Sequence, residues 1–132
     1  MHDYADAAER HLLSAEAVHT AHPASASHCY GIAAECVLKA LMCNLQPQAN
    51  RVSGKHMGPN LWIEFALNQT LQRHPSRVAG AIKYQGGFAG WDVGQRYLNR
   101  ASPEFAAPTV AAQQHSARAL LGLLQLVQRG LA

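Results

Sequence analysis

The stretch Tyr30-Gly31-Ile32-Ala33-Ala34-Glu35-Cys36-Val37-Leu38-Lys39-Ala40-Leu41-Met42 constrains the fold more than any other part of the chain. Ala, Leu, Met, Glu and Lys make it a strong helix former, and it is apolar around nearly its whole circumference. A surface helix keeps a polar face, so a helix of this kind belongs in the middle of a bundle. Its two charges, Glu35 and Lys39, stand four residues apart with the acid first, the favourable order for an i,i+4 pair. Burying such a pair costs in desolvation about what the attraction returns. Glu35 and Lys39 are therefore the residues to explain.

The rest of the chain reads as helices around this one. Asp3 is a plausible N-cap for a first helix, with Asp6 and Glu9 complementing its dipole, and Tyr4, Ala8, Leu12, Ala15 and Val18 follow helical spacing to about residue 21. Pro23 restarts the chain into the central helix, which Asn44 and Pro47 end near Cys43. Residues 44–60, with Pro47, Gly54, Gly58 and Pro59, read as a loop above the usual connection length, expected to be either functional or partly mobile. Asn60 is expected to cap a third helix through Leu61, Trp62, Phe65 and Leu71, stopped by His74-Pro75, and Ser76 a short helix over Val78 to Lys83. Residues 84–103 are open between a turn, a short helical turn and an extended segment. A final helix begins between Pro103 and Pro108, with an apolar stripe of Val110, Ala112, His115, Ala119, Leu123, Leu126 and Val127 and a stop at Gly130. The expected fold is all-α, a single domain over residues 1–132 built as an up-and-down bundle of four main helices plus a short one.

Composition supports a globule. Hydrophobic residues make up 48% of the chain and charged residues 14%, against disorder. The apolar runs are short and interrupted by Glu35, Lys39 and Glu64, so no membrane span is expected. Met1-His2-Asp3-Tyr4 lacks a secretory pattern, and a cytoplasmic location is the expectation. Cys29, Cys36 and Cys43 recur every seven residues on one helix face. At about 1.5 Å rise per residue, neighbours lie roughly 10 Å apart, too far for a disulfide or a shared zinc. They read as buried thiols in a reducing compartment. The net charge of +3 is uneven. Asp3, Asp6, Glu9 and Glu16 crowd the start, while Arg51, Lys55, Arg73, Arg77, Lys83, Arg96 and Arg100 face only Glu64 and Asp92 in the middle. A basic middle favours an anionic partner such as RNA, DNA or a nucleotide, although a solvated surface has the same composition.

Eight histidines invite a metal reading, with His19-x2-His22 spaced like ligands and His11 and His28 nearby. No Asp, Glu or Cys completes a signature, so neither a metal nor a cofactor is expected. Arg51-x4-His56 is sharper: a histidine can serve as base toward a ribose 2′-hydroxyl while an arginine holds the scissile phosphate. Lys55 stands beside them in a Gly-containing loop. Ser53-Gly54-Lys55 is not a phosphate loop, because Ala49 replaces its first glycine and His56 follows the lysine. Gly86-Gly87-x2-Gly90 lacks the spacing of a dinucleotide fingerprint. Arg96-Tyr97, after Trp91-Asp92, can hold a phosphate and stack a base. It can equally bridge to Glu35, with Trp91 and Tyr97 as core anchors.

The central YGIAAECVLKALM resembles the second helix of the HEPN (higher eukaryotes and prokaryotes nucleotide-binding) superfamily, with its small-residue run followed by Glu-x3-Lys-Ala-Leu. The loop with His56, then Leu61-Trp62, and Trp91-x4-Arg96-Tyr97 before the final helix follow the same order. The resemblance spans most of the chain and is that of a divergent, stand-alone member. It implies a helical bundle that pairs into a homodimer, and RNA cleavage or nucleotide and RNA binding, often in toxin–antitoxin or defence systems with a cognate partner protein. Active members use Arg-x4-6-His close to or on the later helices. Here Arg96 is nearest that place, followed by Ala101 and Ser102 where a histidine would stand, whereas Arg51-x4-His56 has the spacing but comes earlier.

Two readings follow. In one, the chain binds RNA or a nucleotide in a basic cleft lined or braced by Glu35, Lys39, Lys55, His56, Arg96 and Tyr97. If it is a metal-independent endoribonuclease, His56 is the base and Arg51 or Arg96 holds the phosphate. In the other it is a non-catalytic dimeric interaction module, whose polar residues fix helix register.

Overall fold

The second half of the central helix is enclosed on all sides: every residue from Ala33 to Met42 is buried, Glu35 and Lys39 among them. The computed structural model describes residues 1–47, 49 and 52–132. Its α-helices are α1 (Tyr4–Val18), α2 (Pro23–Met42), α3 (Pro59–Leu67), α4 (Gln69–Gln72), α5 (Pro75–Ile82) and α6 (Ala107–Gln128). Single 3₁₀ turns cover Gln85–Phe88, Val93–Tyr97 and Pro103–Phe105, and there is no strand among the described residues. The fold is all-α.

Three long helices make the core. Tyr4, Ala8, Leu12 and Ala15 of α1 face α2, and Leu120, Leu124 and Val127 of α6 are buried with them. The N-terminal halves of α2 and α6 meet where Ser27 bonds Gln113, and their C-terminal ends converge on Arg77, which reaches both Asn44 and the Ala132 carbonyl. α2 and α6 therefore run the same way. α1 opposes them: Glu16 near its end pairs with Arg118 in the middle of α6, and Tyr4 at its start lies against Lys39 near the end of α2. The three short helices α3, α4 and α5 occupy the crossover.

Local chemistry explains most of the boundaries. Asp3 caps α1 by accepting from the Asp6 amide at 3.1 Å. Gly130, at φ +71°, ends α6, and the Leu131 amide returns to the Leu126 carbonyl at 2.9 Å. Other starts differ from expectation. α3 begins at Pro59 behind Gly58, with Asn60 inside it, and α5 begins at Pro75 behind His74. In both, proline takes the first helical position, where its missing N–H is not needed. The expected third helix breaks at Asn68, whose extended backbone (ψ 129°) ends α3 while its side chain caps α4 through the Leu71 amide. The buried face of α6 also differs: Ala112, His115 and Leu126 are exposed, while Gln113, Ser116 and Ala117 are buried.

A buried polar network causes that rotation. Ser27 Oγ donates to Gln113 Oε1 at 2.6 Å and accepts from Gln95 Nε2 at 2.7 Å. Trp91 Nε1 donates to the Ser27 carbonyl at 2.9 Å. Because these groups satisfy one another, two glutamines are tolerated inside. The network pins the 91–97 segment to α2, and Gly31 makes room for it: a Cβ there would lie 2.0 Å from the Trp91 indole.

Candidate functional site

The loop after α2 returns over the helix and delivers two groups to Glu35. The Met57 amide donates to Glu35 Oε1 at 2.9 Å, and His56 Nδ1 lies 3.2 Å from the same oxygen. Lys39 Nζ donates to Oε2 at 2.9 Å. An ionised carboxylate only accepts, so His56 presents an Nδ1–H to Glu35 and keeps Nε2 as its free ring nitrogen. The side chains of Glu35 and Lys39 are 8% and 3% exposed, whereas that of His56 is 44% exposed. A buried ion pair thus holds a solvent-facing histidine in one tautomer.

These residues line a concave site of about 330 Å³ with His2, Asp3, Arg10, His11 and Cys36. The N-terminal segment and α1 supply its far wall. Lys39 Nζ lies 5.8 Å from the centroid of the Tyr4 ring, a cation–π contact. His11 is half-buried, and desolvation, reinforced by Arg10, holds its ring below the usual imidazole range against the pull of Glu35. Burial, with Glu35 next to it, pushes the Cys36 thiol up to about 12, so it stays protonated and unreactive. Arg10 is exposed and pairs with Asp6 at 2.8 Å. The polar groups lining the site are three imidazoles, of His2, His11 and His56, with the Arg10 guanidinium, the Lys39 ammonium and the carboxylates of Asp3 and Glu35.

The sequence candidates divide. Glu35, Lys39 and His56 come together. Arg51 lies outside the described residues. Lys55 turns away and pairs with Glu64 at 2.9 Å. Burial opposes ionisation of Glu64, but hydrogen bonds from Lys55 and Ser53 outweigh it and hold the carboxyl below its usual range. Arg96 does not reach Glu35, whose oxygens are taken by Lys39, His56 and the Met57 amide. The reason is the 93–97 turn, which buries Gln95 and leaves its neighbours outward. Arg96 lies 4.9 Å from the Tyr97 ring centroid, and Tyr97 is 79% exposed, so Trp91 is a core anchor and Tyr97 is not.

Arg96 lines a different cavity, of about 190 Å³, with His28 at the start of α2. His28 and Glu35 are seven residues apart on one face of that helix, roughly 10 Å along its axis. His28 stacks on Trp91, with ring centroids 6.1 Å apart. His19, weighed for metal ligation, places Nδ1 2.6 Å from the Tyr30 hydroxyl.

His11 and Arg10 are the site residues that sequence reading missed. In the sequence His11 stands out only for its nearness to His19 and His22, and Arg10 lies among Asp3, Asp6, Glu9 and Glu16. The available signal was spacing: Ala7, Arg10 and His11 lie three and four apart on one helical face beside the buried Tyr4 and Ala8. Comparison of the chain with family models, with curated proteins and with solved structures gives no match.

Proposed function

We propose that the site over Glu35 binds RNA through its phosphates and cleaves it without a metal ion. The observation that carries this reading is His56, tautomer-fixed by Glu35 and open to a concave site that also holds Lys39, His11 and Arg10. His56 Nε2 takes the proton of a ribose 2′-hydroxyl. The 2′-oxygen then bonds to the adjacent phosphorus, the bond to the 5′-oxygen breaks, and a 2′,3′-cyclic phosphate remains. Glu35 stabilises the imidazolium so formed. Arg10 holds the phosphate oxygens, Lys39 adds positive charge beneath them, and protonated His11 supplies the proton to the leaving oxygen.

The wider reading follows from the resemblance. The chain is a HEPN-like protein with an up-and-down bundle in which α3–α5 form the third arm, paired as a homodimer and working in the cytoplasm as a toxin or defence ribonuclease. A second reading, a non-catalytic module, is favoured by one observation: both Glu35 oxygens are already satisfied within the fold.

The deciding experiment compares RNA degradation by wild type, His56→Ala and Arg10→Ala. Loss of cleavage in His56→Ala, with retained folding, supports the enzyme. A clean wild type that leaves RNA intact sinks it and leaves the interaction module. RNA affinity that does not fall with salt would remove the phosphate-binding part of the proposal.

A further inference from the structure

A cavity of about 570 Å³ lies between the start of α3, the end of α5 and the Gln85–Phe88 turn, and plays no part in the chemistry assigned to His56. Its apolar walls are Trp62, Ile82 and Phe88, and none of the residues lining it is charged. Trp62 is set edge-on against Phe65, with ring centroids 6.0 Å apart. It is 3% exposed, and the cavity is what that remainder opens on.

Trp62 Nε1 has no hydrogen-bond partner among the described residues. A buried indole N–H ordinarily finds one, and the other tryptophan does: Trp91 Nε1 donates to the Ser27 carbonyl. Unlike His28 Nδ1, which is sealed inside the fold, Trp62 Nε1 is within reach of a molecule in the cavity. An N–H withdrawn from bulk water without an acceptor carries a cost that a ligand oxygen relieves.

Two glycines keep the space open. Gly86 lines the cavity from the 3₁₀ turn without a positive φ, and a Cβ there would meet nothing within 4 Å. Neither conformation nor packing requires glycine at this position, where it weakens the turn. Gly58 is extended, and a Cβ there would meet only the His56 carbonyl, at 3.9 Å.

The lining selects its occupant. Trp62, Ile82 and Phe88 favour an apolar body, and the single indole donor calls for one acceptor. With no charged side chain in the lining, an ion would lose its hydration unpaired. A concave volume of this size is that of a small-molecule site. We infer that the cavity binds a neutral, largely apolar small molecule with one carbonyl group, its body between Ile82 and Phe88 and its oxygen accepting from Trp62 Nε1. The inference is independent of cleavage at His56.

The test is a titration of the full chain with acetophenone, followed by NMR on the indole N–H signals of its two tryptophans. The Trp62 signal should move and saturate, while that of Trp91, held by Ser27, stays in place. Ethylbenzene, which has the ring without the carbonyl, should bind about tenfold more weakly through loss of one hydrogen bond. Benzoate, which has the charge, should also bind more weakly than the ketone. Gly86→Leu should weaken binding of acetophenone about tenfold or more without lowering the melting temperature. In Trp62→Phe, followed on the Gly90 amide, the preference for the ketone over ethylbenzene should vanish. A Trp62 signal that stays fixed up to the solubility of acetophenone overturns the inference. So does equal or tighter binding of ethylbenzene or benzoate, or binding that both substitutions leave unchanged. A Trp62 signal that moves on dilution of the protein alone assigns this face to a second copy of the chain and overturns it as well. His56→Ala should leave the titration unchanged, which separates this result from the fate of the ribonuclease reading.

Discussion

His56 Nδ1 lies 3.2 Å from Glu35 Oε1, and the amide of the next residue, Met57, donates to that same oxygen. The loop is therefore tied to α2 by one backbone and one side-chain contact in succession. Lys39 on the other oxygen makes Glu35 the junction of helix, loop and concave site.

This junction predicts an asymmetry between removing one charge and removing both. Lys39→Met leaves Glu35 buried without its cation and should destabilise the chain by about 3 kcal/mol. The double variant Glu35→Gln/Lys39→Met should cost clearly less than the sum of its single changes, because no charge is left unpaired. Urea unfolding of the four proteins measures the coupling; strict additivity would show that the pair is not an energetic unit.

The lowered ionisation of His11 sets the pH profile of any cleavage. Burial and Arg10 hold its ring below the usual imidazole range. As general acid, His11 must be protonated, so activity should peak on the acid side of neutrality and fall as pH rises through that depressed value. His11→Gln should lower the rate about 100-fold and remove the alkaline fall. An optimum above neutrality in wild type would exclude His11 as the acid.

Gly31 and Gly122 should respond oppositely to the same change. Gly31→Ala places a Cβ within the Trp91 indole and should cost about 2–3 kcal/mol, with a red-shifted tryptophan emission as the 91–97 segment lifts. At Gly122, in the middle of α6, a Cβ meets nothing within 4 Å. Gly122→Ala should therefore stabilise by about 0.5–1 kcal/mol through helix propensity alone. Thermal unfolding monitored by fluorescence and by circular dichroism distinguishes them, and equal effects would contradict the packing at Trp91.

Glu16 gives a prediction for acid unfolding. Its carboxyl is held below the usual range first by hydrogen bonds from Arg118, opposed by some burial and aided by Gln114. A depressed folded value means that the pair's stabilisation is complete above the ordinary carboxylate range and is lost as pH falls through the depressed value. Because the pair is partly exposed, the effect is modest. Arg118→Gln should narrow the gap in urea midpoint between pH 7 and pH 3; an unchanged gap would show that the pair adds nothing.

Particular residues show how far the chain could be read beforehand. Asp3, Pro23 and Gly130 act within one turn of themselves, and their roles as cap, start and stop follow from local backbone chemistry. Asn68, read as helix interior, instead ends α3 and caps α4, because its side-chain oxygen competes for the Leu71 amide. Gln113 and Ser116 read as surface on α6, and are buried because partners distant in the chain satisfy or cover them. Ser27, which bonds Gln113, lies 86 residues away.

The sequence alone determined that the chain is helical and that α2 lies at its centre, since periodicity and propensity are properties of neighbouring residues. It also singled out Glu35 and Lys39, because two charges on an apolar helix are conspicuous without any partner in view. Only tertiary structure decided that His56 joins them, that α1 contributes His11 and Arg10, and that Arg96 turns to a separate cavity beside His28. The physical reason is direction. Spacing along a chain states which residues share a helix face, but the path of a loop and the turn at residues 93–97 state where the next face points.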